Sequence, residues 1–148
     1  MPVTSKTKEA AAATAWRRIF DYIVATAADR VAVLDRLGIT PAESRALTSL
    51  DSDAGRSMRA LADEWRCDPS NATWLVDRLE SQGLARRVAR KGDRRVKAVV
   101  LTAKGKRMRG ELLESMYTPP RDLLALAQSD LDALSAAASK LPSRRAPA

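Results

Sequence analysis

The amino-acid sequence predicts a mainly α-helical fold with one small β hairpin. Alanine and leucine are abundant, while glycine and proline are scarce inside the long segments, and this composition favours helices. Apolar residues recur at steps of three and four along most of the chain. The exception is residues 84–101, where two β-prone runs flank a Lys-Gly-Asp turn. A length of 148 residues suits one domain, or one domain with added helices for association.

The N-terminal segment, residues 1–37, is predicted to form one long helix from about Lys6 to Leu37. The apolar residues of this helix share one face: Trp16, Ile19, Phe20, Ile23, Val24, Ala27, Val31 and Leu34. A helix of roughly thirty residues is too long to bury such a face against one small core. We therefore predict that it is a dimerisation helix that meets a partner subunit in a homodimer.

Two short helices are predicted next. In GITPAESRAL, Thr40 fits the N-cap, Pro41 fits the first helical position and Glu43 completes a capping box. The inward positions of this helix are predicted to be Ala46, Leu47 and Leu50. A second helix is predicted over residues 57–65, with four core positions: Met58, Leu61, Ala62 and Trp65.

The following helix, residues 69–82, has clear boundary signals in DPSNATWLVDRLESQG. Asp68 is predicted to cap it, Pro69 to take the first helical position and Gly83 to end it. Its predicted buried face is Ala72, Leu75, Val76 and Leu79. Its other faces carry Ser70, Asn71, Thr73, Trp74, Asp77 and Arg78. Two helices joined by a tight turn, the second with donors and acceptors for base edges, are typical of a helix-turn-helix.

The runs LARRVAR and RVKAVVL are predicted to be the two strands of a hairpin over residues 84–101. A helix-turn-helix followed by a basic hairpin is a winged helix, and we assign it to residues 38–104. The octet RKGDRRVK at the hairpin tip carries five basic residues and one acid, Asp93. Phosphate contacts are predicted for Arg90, Lys91, Arg94 and Lys97.

Positive charge is concentrated around this hairpin. Between Leu84 and Arg109 lie eleven of the 26 Lys and Arg residues of the chain but one of its 18 acidic residues. The rest of the chain, with fifteen basic and seventeen acidic residues, is close to neutral. Concentrated positive charge is typical of a protein that binds the phosphate backbone of nucleic acid. A solvated positive face is the alternative.

The C-terminal third is predicted to be helical. Thr102 fits the N-cap of TAKGKRMRGELLESMY, which ends before Pro119, and Ser129 fits the cap of a last, leucine-rich helix. We assign residues 105–141 to C-terminal dimerisation helices and residues 142–148 to a flexible tail.

The composition excludes several classes of protein. The chain has no histidine and one cysteine, Cys67, so it lacks the residues for a zinc site or for Ser-His-Asp or Cys-His catalysis. We therefore expect no enzyme, no metal and no cofactor. The N-terminus has no apolar signal segment, and no run approaches the ~20 apolar residues of a membrane span. We expect a cytoplasmic protein without a membrane partner.

These motifs together resemble the MarR-type winged-helix transcription regulators. The resemblance runs through GITPAESRAL, MRALADEW, DPSNATWLVDRLESQGLARR and GDRRVKAVVLTAKGK, about two-thirds of the chain. It implies a triangular homodimer in which the first and last helices join the subunits. It also implies that two winged lobes bind a palindromic operator in double-stranded DNA, commonly as a repressor.

Carried over by position, the resemblance places Ser70, Asn71, Thr73, Trp74 and Arg78 on the recognition helix. Arg95 matches the wing arginine that enters a minor groove, and Asp93 matches the acid that orients it. A narrow A·T-rich minor groove attracts arginine through its negative potential. A carboxylate two residues away could hold the guanidinium in a forked ion pair, so we predict such a pair between Asp93 and Arg95.

Several alternatives stay open. Trp74 faces either the DNA or the space between helices. Cys67 is expected to be a core thiol, with a redox sensor as the alternative. Four aromatic residues either line a pocket for a small aromatic effector, as the family implies, or belong to the core: Trp16, Phe20, Tyr22 and Trp65. The chain itself is either a sequence-specific regulator or an architectural DNA-binding protein with little sequence preference.

Overall fold

The mainly helical fold class with a small β wing is confirmed by a computed structural model, which describes residues 5–50, 53–90 and 92–143. The described residues form two compact units that divide between Met116 and Tyr117. The elements in chain order are α1 (Lys6–Ala25), α2 (Ala27–Leu37), α3 (Pro41–Ser49), β1 (Arg56–Ser57), α4 (Met58–Trp65), α5 (Pro69–Ser81), β2 (Ala85–Arg90), β3 (Asp93–Leu101), α6 (Ala103–Tyr117), α7 (Arg121–Leu124) and α8 (Gln128–Ala138). None of the helices described is long and apolar enough to cross a lipid bilayer.

The prediction of one unbroken helix over residues 6–37 is wrong, because the helix is divided at Thr26. The Thr26 hydroxyl donates to the Tyr22 carbonyl oxygen at 2.8 Å. The Arg30 guanidinium donates to Thr26 Oγ1 at 2.9 Å and to the Ile23 carbonyl oxygen. Side-chain donors that occupy helix carbonyls disturb the regular backbone ladder and bend the helix. The apolar period continues across the break, so the pattern alone does not reveal it.

The apolar face of α1 is exposed, and α1 has no buried residue in the single chain. Trp16, Ile19, Phe20, Ile23 and Val24 are all exposed along it. Leu34, on α2, is the member of the predicted face that is buried. The predicted face therefore exists, but within one chain it is covered only near its C-terminal end.

The core lies in the middle of the chain, where α3, α4, α5, α6 and the sheet pack together. Every predicted inward position of α3 and α5 is buried, and so are three of the four in α4, with Met58 packed against the edge of the cluster. The largest fully buried side chains are Leu47, Leu61, Leu79, Leu84, Leu112, Glu43, Val76 and Val99. Helical period therefore identified the core of the lobe correctly.

The helix caps confirm some predictions and correct others. Thr40 and Glu43 form the predicted capping box, with reciprocal hydrogen bonds of 3.2 and 2.8 Å. Thr102 Oγ1 accepts the Gly105 N–H at 3.0 Å. Asp68 occupies the N-cap of α5, but its side chain makes no capping hydrogen bond among the described residues.

The predicted cap at Ser129 is wrong. α8 begins at Gln128 with Ala127 as its N-cap. The Ala127 carbonyl oxygen already accepts the N–H groups of Asp130 and Leu131, so Ser129 lies inside the first turn. The predicted tail lies partly beyond this region, since residues 144–148 are outside the described residues.

The sheet has three antiparallel strands in the order β1-β3-β2. The two-residue strand β1 was not predicted. Gly55 precedes it with φ of +76°, and a Cβ there would lie 2.8 Å from Val100 Cγ1, so only glycine allows this close approach to β3. The hairpin of β2 and β3 was predicted correctly.

Candidate nucleic-acid interface

The candidate interface begins with the exposed side of α5. The buried residues of this helix face the core, and its predicted DNA-facing residues are all exposed: Ser70, Asn71, Thr73, Trp74 and Arg78. Trp74 is 60% exposed, so it does not lie between helices and that alternative is wrong. The Thr73 hydroxyl donates to the Pro69 carbonyl oxygen at 2.9 Å. The helix thus presents small polar groups near its N-terminus and an indole ring one turn further on.

Arg78 is held by a buried carboxylate. Its Nε donates to Glu43 Oε1 at 3.2 Å, and Gln82 Nε2 donates to the same oxygen at 3.0 Å. The other oxygen, Oε2, accepts the Thr40 backbone N–H. Glu43 is 1% exposed, and a buried charge needs such partners. Arg78 therefore fixes α5 to the N-terminus of α3, which limits its freedom to reach a base.

The charge of Glu43 is stabilised by these bonds. Burial raises the pKa of its carboxyl group, but the hydrogen bonds from Thr40 and Arg78, together with the positive charge of Arg78, lower the pKa more. The net result is a pKa below the ordinary value for glutamate. Glu43 therefore remains ionised at neutral pH and keeps its ion pair with α5.

The wing is joined to α5 through Arg87, a contact that the sequence analysis missed. The Arg87 guanidinium forms ion pairs with Asp77 at 2.8 Å and Glu80 at 2.9 Å. The Arg87 backbone N–H also donates to Glu80 Oε1 at 3.0 Å. Asp77 and Glu80 lie on α5 and Arg87 lies on β2. These bonds therefore hold the hairpin in a fixed position relative to the helix. Acids spaced three apart on α5 were a signal that could have suggested it.

The predicted forked ion pair between Asp93 and Arg95 is wrong. Asp93 Oδ1 instead accepts the backbone N–H of Arg95 at 2.9 Å, and among the described residues the two side chains form no ion pair. A short Asp side chain reaches the amide two residues ahead more easily than a long guanidinium bends back to it. Asp93 thus acts on the backbone of the wing.

The tip of the wing stays positively charged. The basic residues predicted to meet DNA there are exposed and form no ion pair within the described part of the chain: Arg90, Arg94, Arg95 and Lys97. The predicted contact at Lys91 lies outside the described residues. Two other basic groups nearby have partners, since Lys106 pairs with Asp53 and Lys104 donates to the Gln82 carbonyl oxygen. The tip therefore carries a group of exposed cations without acidic partners among the described residues.

The turn between α4 and α5 has a strained backbone. Arg66 has φ of 51° and ψ of 49°, and it is the one residue other than glycine with positive φ among those described. This left-handed conformation costs an ordinary side chain about 1–2 kcal/mol. Cys67 follows it, half-buried and packed against the core, as expected of a structural thiol.

The four aromatic residues considered for an effector pocket do not share one environment. Trp65 is buried, and its indole N–H donates to Ser49 Oγ at 2.9 Å, so it belongs to the core of the lobe. Trp16 and Phe20 are exposed on α1, with ring centroids 6.0 Å apart. Tyr22 is half-buried. The inclusion of Trp65 in an open pocket is therefore wrong, and the effector role of the other three stays a prediction.

Comparison with known proteins agrees with this geometry. Residues 37–96 match the model of the MarR family. Over this segment the chain is similar to the MarR family. The segment contains the helix-turn-helix and most of the wing, including Asp93 and Arg95. No curated protein matches the chain.

Solved structures show the same fold over most of the chain. A MarR family protein from Bacillus stearothermophilus has a TM-score of 0.72 and 24% identity, covering 87% of this chain and 91% of its own. YusO from Bacillus subtilis has a TM-score of 0.70 and 23% identity, covering 93% and 96%. A point mutant of S. aureus MepR, bound to an oligodeoxyribonucleotide, has a TM-score of 0.65 and 20% identity, covering 86% and 93%. The MarR-type winged-helix fold is therefore established for this chain.

Proposed function

We propose that this protein is a sequence-specific DNA-binding transcription regulator. The main support is that the exposed polar side of α5 and the basic tip of the wing belong to one lobe. The wing is joined to α5 by the ion pairs of Arg87 with Asp77 and Glu80. In this function α5 enters a major groove of duplex DNA, where base edges differ in their donors and acceptors. The wing follows the backbone and places Arg95 in the adjacent minor groove.

The MepR structure supports DNA as the partner, because a protein of the same fold is bound there to an oligodeoxyribonucleotide. Charge supports it independently, since the exposed cations of the wing tip have no acidic partners among the described residues. Phosphate groups are the anions that such a surface fits. The proposed location is the cytoplasm, because DNA is the proposed partner.

The proposed active form is a homodimer on a palindromic operator. The exposed apolar face of α1 supports this, because several large apolar side chains exposed along one helix face are typical of an interface. Two recognition helices in successive major grooves require half-site centres about 34–36 Å apart. Following the family pattern, the bound dimer represses transcription by excluding polymerase. A small aromatic effector that binds near Trp16, Phe20 and Tyr22 releases the dimer from DNA.

Footprinting of the purified protein on genomic fragments, with excess competitor DNA, tests the proposal. We expect one discrete protected region with two-fold symmetry that survives the competitor. Uniform protection that the competitor removes would instead establish an architectural protein with little sequence preference. Sedimentation of the same sample should give the mass of a dimer.

A further inference from the structure

Trp74 is the unusual residue on the exposed side of α5. Its neighbours one turn towards the N-terminus, Ser70 and Asn71, are small and polar, whereas Trp74 exposes a large apolar ring. Residues three and four apart are neighbours on a helix, so both Ser70 and Asn71 lie next to Trp74 on the exposed side of α5. Core packing does not explain a tryptophan at this exposed position. Helix propensity does not explain it either, because tryptophan forms helices less readily than alanine or leucine.

The ring of Trp74 is held in place by the residue that follows it on this face. The Arg78 Cζ atom lies 5.8 Å from the centroid of the indole ring, within the range of a cation–π contact. Arg78 is in turn bonded to Glu43, which is buried and anchored to Thr40. The buried Glu43 carboxylate thus fixes the position of the Arg78 guanidinium, and the guanidinium in turn holds the indole ring.

The chemistry of the major groove indicates what such a ring could recognise. Base edges in this groove present polar donors and acceptors, and the one apolar group among the four bases is the C5-methyl group of thymine. A supported indole ring offers a flat apolar surface that loses little conformational entropy on contact. Arg78 has its Nε bonded to Glu43, which limits how far the guanidinium can turn towards a base.

We propose that Trp74 is a specificity-determining residue that recognises thymine through its C5-methyl group. Glu43, acting through Arg78, is a positioning residue for the indole ring. The proposal rests on the proposed DNA-binding function and identifies which base one position of α5 prefers. It differs from the wing contact, which depends on groove shape.

Replacement of thymine by uracil in the bound DNA tests the contact directly, because it removes the methyl group and leaves base pairing unchanged. A duplex selected by the wild-type protein from a random library would be prepared with single uracil substitutions. We expect one thymine in each half-site at which uracil weakens wild-type binding about fourfold, the effect of one buried methyl group. Trp74→Ala should bind the thymine and uracil duplexes equally.

The positioning role is tested with Glu43→Gln and Arg78→Lys. Glutamine removes the negative charge and has one acceptor oxygen, so it cannot accept from both Arg78 and the Thr40 N–H. Lysine keeps the charge of Arg78 but lacks the planar guanidinium that lies over the ring. Both should lower the ratio of thymine to uracil affinity towards one, whereas damage to the fold alone would lower both affinities equally. Arg45→Lys, which makes the same change at an exposed arginine of α3, is the matched control and should keep the wild-type ratio.

The outcomes separate this proposal from the function on which it rests. A discrete site with no thymine that responds to uracil, or a Trp74→Ala variant that keeps the wild-type ratio, overturns the thymine contact and leaves the regulator intact. Unchanged ratios in both Glu43→Gln and Arg78→Lys overturn the positioning role. Failure of the library to yield any preferred site overturns the regulator and the contact together.

Discussion

Asp93 Oδ1 accepts a hydrogen bond of 2.9 Å from the backbone N–H of Arg95. In the hairpin, Ala89 pairs with Lys97 and Arg90 pairs with Asp93, so residues 94–96 have no opposite residue on β2. An irregularity of this kind leaves ladder amides unpaired and redirects side chains. The Asp93 carboxylate supplies an acceptor to the central residue of the irregular stretch. It therefore fixes the backbone from which Arg95 projects.

The first prediction separates this hydrogen bond from simple charge. Asp93→Ala should weaken binding of the selected operator about fivefold, the effect of a hydrogen bond of about 1 kcal/mol. Asp93→Asn should retain most of the affinity, because its amide oxygen can accept the same N–H. Fluorescence anisotropy with labelled duplex measures both. Asp63→Ala, which removes an exposed acid from α4, is the control, and tighter binding by Asp93→Ala would contradict the account.

The second prediction concerns two glycines of α6. A Cβ on Gly105 would lie 1.9 Å from the Leu84 carbonyl oxygen, whereas one on Gly110 would meet nothing within 4 Å. Gly105→Ala should lower the free energy of unfolding by about 1–3 kcal/mol, because helix and hairpin must separate. Gly110→Ala should raise it by about 0.5–1 kcal/mol, because alanine favours the helix. Urea unfolding of both variants checks the opposite signs, and equal stabilities would be inconsistent with this packing.

The third prediction uses the lowered pKa of Glu43. A carboxyl group with a lower pKa in the folded state adds stability above its unfolded pKa, about 4.3. This contribution is lost as the pH falls through the lower folded pKa. The stability difference between wild type and Glu43→Gln should therefore be constant from pH 7 to about pH 5 and shrink at more acidic pH. Urea unfolding at a series of pH values measures it, and a difference that grows on acidification would refute the assignment.

The fourth prediction concerns the strained turn at Arg66. Arg66→Gly removes a backbone cost of about 1–2 kcal/mol and adds about 0.5–1 kcal/mol of chain entropy. The melting temperature should therefore stay the same or rise slightly. Arg66→Val, with a branched side chain that adopts positive φ poorly, should lower it. Thermal unfolding of the pair decides the point, and a lower melting temperature for the glycine variant would show that the arginine side chain stabilises the turn.

Local signals in the sequence were sufficient for much of the fold. The buried side of α5 follows from helical period, and the capping box of Thr40 and Glu43 from residue types at fixed spacing. The hairpin follows from β-prone runs around Gly92. Each of these features depends on residues close together in the chain, so it can be predicted from the sequence alone.

Features that depend on distant partners were missed or misjudged. The strand β1 exists because Gly55 allows contact with Val100, more than forty positions away. Glu43 was identified as a cap, but its bond to Arg78 joins residues 35 positions apart. The division at Thr26 has a different cause, since local side-chain donors interrupt a helix whose apolar pattern is continuous. Asp93 was correctly predicted to bind Arg95, but its partner is the backbone N–H and not the guanidinium.

The most direct test of the central claim is the operator affinity of Arg95→Ala at several salt concentrations, with the mass of the variant checked by sedimentation. If Arg95 lies in the minor groove, the variant should remain a dimer, lose most of its preference for the operator over competitor DNA, and show a salt slope smaller by about 1. Arg45→Ala, which removes an exposed arginine of α3 outside the recognition helix, the wing and the dimerisation helices, should keep the wild-type preference. An Arg95→Ala variant with wild-type affinity and preference would contradict the assignment of the wing as part of the DNA-binding surface.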